Sequence, residues 1–86
     1  MMDNGPTLRY IAQHNKKPDA RITAIEQLLL DDSVLCSIAK NDPEPLVRIA
    51  AVSRLTEGAA GTILKLIAAH DPDTRVRTAA AGRLKT

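Results

Sequence analysis

The stretch Asn41-Asp42-Pro43-Glu44-Pro45-Leu46-Val47-Arg48-Ile49-Ala50-Ala51-Val52-Ser53-Arg54-Leu55 is the middle of three related copies in this chain. Asn15, Asp42 and Asp71 are each followed six residues later by an arginine: Arg21, Arg48 and Arg77. An alanine follows each arginine at +3 (Ala24, Ala51, Ala80) and a leucine at +7 (Leu28, Leu55, Leu84). The copies are offset by 27 and then 29 residues. Self-similarity at this period is the mark of stacked units, none of which can bury its apolar face alone.

Within the middle copy the chemistry is that of a helix start. Asp42 reads as an N-cap, the prolines fall where helix-start N–H groups have no partner anyway, and Glu44 complements the dipole. Asp71-Pro72-Asp73 repeats the device, and Asn15-Lys16-Lys17-Pro18-Asp19 is a looser version. Apolar positions then recur at helical spacing: Val47, Ala51, Val52 and Leu55, in register with Val76, Ala80, Ala81 and Leu84. Upstream of each turn lies a second stripe. Leu8-Ile11-Ala12 aligns with Leu35-Ile38-Ala39 and Leu64-Ile67-Ala68, each with i, i+3, i+4 spacing. The pattern predicts helices at 7–14, 18–30, 33–40, 44–56, 60–69 and 73–85, with Gly58 as a C-terminal stop. Residues 1–6 read as a disordered tail, and 7–86 as one all-α solenoid domain with repeats at about 7–30, 33–56 and 60–86.

Eighty-six residues make one small domain, a size that buries only about 60–65% of the surface its unfolded chain exposes. Hydrophobic residues are 44% of the chain, but thirteen are alanine and Tyr10 is the sole aromatic. Few large anchors are therefore present, and modest stability is expected, as a monomer or a weak homodimer. The net charge of +2 is too small to argue for nucleic acid. Cys36 is the only cysteine, which excludes a disulfide framework and a paired-cysteine metal clip. With no basic leader pattern and no run of about 18 apolar residues, the expected setting is cytoplasmic, away from membranes.

Paired short helices joined by an Asp-Pro turn, with Val-Arg-x-x-Ala-x-x-x-Leu on the second helix, resemble HEAT repeats of the short bacterial type found in phycobilin-lyase-like proteins. Asp42, Pro43, Val47, Arg48, Ala51 and Leu55 carry the likeness, as do Asp71, Pro72, Val76, Arg77, Ala80 and Leu84. Asn15, Ala20, Arg21, Ala24 and Leu28 match more loosely. The chain also resembles the leucine-rich-repeat variant family, which has Asp-Pro-x-x-x-Val-Arg at a shorter period. The resemblance implies a right-handed α-α superhelix of three helix pairs, armadillo-like in outline. Its second helices would line the concave side. It also implies a ladder between neighbouring repeats built from Asn15, Arg21, Asp42, Arg48, Asp71 and Arg77. Function is not implied, because one fold hosts many.

Two readings compete for the three arginines: a grip on phosphates or carboxylates, or that ladder. The acidic or amide partner at constant offset favours the ladder. Arg54, Arg75, Arg83 and Lys85 form a basic C-terminal group that reads first as a solvated helix end favouring the dipole; it could also meet an acidic protein or nucleic acid, although without aromatic stacking groups single strands are disfavoured. His14 and His70 lie two repeats apart, too far to share a metal. Cys36 has no neighbouring base in sequence to activate it. Asp31 and Asp32 read as a helix start. No catalytic residue, cofactor site or metal site is assigned.

The preferred expectation is a non-enzymatic interaction module or scaffold that binds a helix or extended peptide of another protein. Its contact residues would be the positions on the second helices that fail to repeat: Thr23, Glu26, Gln27, Ile49, Ser53, Arg54, Thr78 and Arg83. The alternative is an anion or nucleic-acid binder using Arg48, Arg54, Arg75, Arg77, Arg83 and Lys85. A lyase-type enzyme subunit or accessory factor is weaker, since no acid–base pair converges. Ala79, Ala81 and Gly82 offer a smooth patch for homodimer contact.

Overall fold

A computed structural model of the chain describes the backbone of residues 5–27, 32–55 and 57–84, and the side chains of 10–27, 33–55 and 61–84. The expectations placed on Leu8, Leu28, Asp31, Lys85 and residues 1–4 lie outside the described residues. Six α-helices follow in order: α1 (Gly5–His14), α2 (Pro18–Gln27), α3 (Asp32–Asn41), α4 (Pro45–Arg54), α5 (Glu57–His70) and α6 (Thr74–Leu84). Among the described residues there is no strand.

Proline sets where the second helices begin. Lys17, Asp42, Glu44 and Asp71 each precede a proline, and that neighbour pushes a residue out of the helical region. Glu44 accordingly sits at φ −99°, ψ 122°, with Pro45 opening α4. Asp42 is not the N-cap that the spacing predicts. Glu44 holds that position without a side-chain cap. The Asp42 carboxylate instead closes the turn one step earlier, its Oδ1 accepting the Glu44 N–H at 2.9 Å. Asn15 Oδ1 takes the Lys17 N–H and Asp71 Oδ1 the Asp73 N–H in the same way, both at 2.9 Å. In α6 a true cap follows: Asp73 Oδ1 accepts the Arg75 N–H at 2.7 Å.

Two boundaries differ from expectation. The α1 helix begins at Gly5, with Pro6 in its first turn, rather than at residue 7. Gly58 stops no helix, because it lies in the first turn of α5. The preceding helix ends where Leu55 turns extended, at φ −63°, ψ 139°. No residue in the described backbone has positive φ, so a glycine is not what breaks the chain there.

Three-residue turns at 15–17, 42–44 and 71–73 fold α1 onto α2, α3 onto α4 and α5 onto α6. Between pairs, α2 packs on α4, α4 on α6 and α3 on α5. The even-numbered helices thus form one layer and the odd-numbered helices the other, within 41 × 26 × 15 Å. Between the layers lie Ala12, Ala24, Ile25, Leu35, Ile38, Ala39, Val47, Ala51, Val52, Leu55, Leu64, Ile67, Val76 and Ala80. Among the described residues, Ile25, Val47, Val52 and Val76 are the largest fully buried side chains. At about 25 cal/mol per Å² of apolar surface, such a core contributes little beyond what so small a chain requires. Polar links between the pairs therefore matter more than usual.

Candidate functional site

The repeating arginines and aspartates meet between pairs. Arg21 on α2 reaches the turn before α4: its Nε donates to Asp42 Oδ2 at 2.8 Å and its Nη2 to Asp42 Oδ1 at 3.0 Å. The third donor, Nη1, is spent on the Asn15 carbonyl of its own turn. Arg48 repeats this one pair further on, with Nε to Asp71 Oδ2 at 2.9 Å, Nη2 to Asp71 Oδ1 at 3.1 Å and Nη1 to the Asp42 carbonyl at 2.7 Å. Both are two-pronged guanidinium–carboxylate pairs, the geometry that planar arginine provides and lysine does not. All four residues are buried, and no buried side-chain nitrogen or oxygen among the described residues lacks a partner. These groups are committed inside the protein and are closed to a ligand.

Arg83 also points inward. Its Nη1 donates to the Val52 carbonyl at 2.7 Å and its Nη2 to the Leu55 carbonyl at 2.6 Å. These are helix-end carbonyls that α4 cannot satisfy itself. The half-buried side chain therefore ties α6 to the C-terminus of α4 and does not face a partner as the sequence reading expected. The sequence did hold a signal for this: Arg54 and Arg83 share one column, each at the end of a second helix. Arg54 is exposed and engaged with a group of its own.

The other expected contact residues separate. Glu26, Ile49, Ser53 and Arg54 line an open groove of about 420 Å³ between α2 and α4, together with Ile22, Leu46 and Ala50. Thr23 and Gln27 line a different groove of about 360 Å³, with Ile11 and Ala20, on the outer side of the first pair. Thr78 is exposed on α6, away from both. Leu46, half exposed at 50%, was not among the expected contacts. It stands in the column of Asp19 and Arg75, one of the least repetitive in the chain, so the rule that variable columns bind already pointed to it.

Arg75 bonds Asp73 at the surface, Nη2 to Oδ2 at 3.0 Å. That hydrogen bond holds the Asp73 carboxyl at about 2, below its ordinary 3.8, and raises Arg75 in turn. A depressed carboxylate stabilises the fold above its unfolded pKa, and the contribution fades as pH falls from 3.8 through about 2. An NMR titration should place the Asp73 carboxyl near 2 and return it toward 3.8 in Arg75→Gln.

His14 is exposed and packs its ring against Tyr10, centroids 4.7 Å apart. His70 borders a groove of about 240 Å³ with Lys40, Leu66 and Pro72, and His14 a similar one of about 210 Å³ with Asn41 and Pro43. Cys36 is half-buried. Among the described residues no three His, Cys, Asp or Glu side chains converge as metal ligands, and no helix is long and apolar enough to cross a membrane. No family model, curated protein or solved structure matches the chain.

Proposed function

We propose that this chain is a three-repeat, HEAT-like α-solenoid that binds another protein through its even-numbered helices, as a non-enzymatic scaffold of the cytoplasm. The α2–α4 groove carries this reading. Its lining joins apolar Ile22, Leu46, Ile49 and Ala50 with polar Glu26, Ser53 and Arg54. Apolar surface bordered by polar groups is the anatomy of a protein-binding patch, and an open groove between two helices is where a helix or extended segment docks. Leu46 is the anchor and Arg54 the charged guide.

The alternative of a phosphate-backbone binder finds three of its six cations already engaged. Arg48 is sealed against Asp71, Arg75 holds Asp73, and Arg83 caps α4. Such groups cannot release counterions on a polyanion without first abandoning a bond. An enzyme reading has less support, because the grooves are open and the carboxylates bordering them beside His14 and His70, Asp42 and Asp71, are held by Arg21 and Arg48.

Affinity capture from the source cell with the native chain, Leu46→Asp and Tyr10→Ala tests the proposal. A partner retained by Tyr10→Ala and lost tenfold or more in Leu46→Asp is expected, with unchanged circular dichroism. A partner held equally by all three places recognition on another surface.

A further inference from the structure

The links between helix pairs are directional, and the two ends of the stack differ in how those links are left. In each complete link an arginine offered forward by one pair meets a carboxylate offered backward by the next. In the first pair the backward-facing residues are amides: Asn15 replaces Asp42 and Asp71, and Gln27 replaces Arg54 and Arg83. In the last pair the forward-facing residue is still charged. Arg77 keeps the posture of Arg21 and Arg48, with Nη1 on the Asp71 carbonyl at 2.6 Å. Its Nη2 reaches only Thr74 Oγ1, at 2.8 Å, and its Nε–H has no acceptor among the described residues. These are the two donors that grip a carboxylate in both complete links.

A second observation falls at the same end. Leu55, covered by α6, is 2% exposed, whereas Leu84 in the same column is 39% exposed. The carbonyls of Ala81 and Leu84 occupy the α6 positions that Arg83 caps on α4. Among the described residues, the outer face of α5–α6 therefore presents a half-made ionic link beside a partly exposed leucine.

We propose that this α5–α6 end face docks a second helical hairpin, supplied by a partner protein, whose connecting turn carries an aspartate. The carboxylate would close on Arg77 Nε and Nη2, as Asp42 does on Arg21, while the hairpin covers Leu84. A second copy of this chain is a poor occupant. Stacked head to tail, it offers the Asn15 amide, which has one acceptor oxygen where two are needed and carries no charge. Packed tail to tail across Ala79, Ala81 and Gly82, it brings two Arg77 guanidiniums to the same face. The amides of the first pair thus act against self-polymerisation. This surface is separate from the α2–α4 groove.

The test converts the chain into its own missing partner. Asn15→Asp/Gln27→Arg restores the backward-facing charges, and Arg77→Gln in the same molecule stops it polymerising. This probe, mixed with the native chain and followed by sedimentation velocity, should form a 1:1 complex. The affinity should fall tenfold or more when the receiving chain is Arg77→Gln, and remain unchanged when it is Leu46→Asp. The simpler Asn15→Asp/Arg77→Gln probe serves if the triple variant does not fold, because Asp at 15 can keep the bond to the Lys17 N–H. Absence of a complex with a folded probe, equal affinity for the Arg77→Gln receiver, or Arg77-dependent dimers of the native chain alone would overturn the proposal.

Discussion

Asp42→Ala should destabilise this protein by about 3–5 kcal/mol, the cost of removing one partner from a buried ion pair. The side chain has two tasks and performs them while buried. It receives two donors of Arg21, holds the turn through the Glu44 N–H, and is itself only 7% exposed. Truncation leaves a buried guanidinium without its counter-charge, which costs far more than the intact pair contributes. A domain of this size has roughly 4–13 kcal/mol in total. The melting temperature should drop by roughly 12 °C or more, measured by circular dichroism. Asn15→Asp, at the outer end of the same column, should shift stability by no more than about 0.5 kcal/mol.

Ile25→Ala should cost about 2–5 kcal/mol in urea unfolding, through lost burial and the cavity left behind. Ile25 is fully buried and is the only isoleucine among the four largest such side chains; the other three are valines. Its neighbours in the core are mostly small or β-branched, and stiff valines cannot swing into a void. Tyr10, 66% exposed, carries the largest side chain in the molecule, yet its truncation should be nearly neutral. Size alone does not identify the anchors in an alanine-rich core.

The helices were legible because each is marked twice, by an apolar stripe and by a proline-bearing turn. Val47, Ala51, Val52 and Leu55 are all buried, at the spacing that predicted them. What sequence misread was local competition. Asp42 resembles an N-cap, but Pro45 forces Glu44 extended and moves the helix start beyond its reach. Gly58 resembles a terminator, but the chain had already turned at Leu55. Arg83 was expected to face a partner because its acceptors are backbone carbonyls 28 and 31 residues away, which leave no trace in side-chain patterns. Leu46 was passed over because a leucine next to a buried valine is easily assigned to the core, although it faces the groove.

The columns that repeat and the columns that vary consequently hold different tasks. Ala, Val and Leu fill the space between layers, and Arg with Asp joins one helix pair to the next. Variation is concentrated where Asp19, Leu46 and Arg75 align, and where Gln27 precedes Arg54 and Arg83. The account depends on the repeating pairs being structural bonds between units. A double-mutant cycle of Arg21→Met and Asp42→Ala, followed by urea unfolding, measures that most directly. A coupling energy of about 2–3 kcal/mol is predicted, with the double variant more stable than Asp42→Ala alone, because no uncompensated guanidinium remains. Effects that add to within about 0.5 kcal/mol would contradict it.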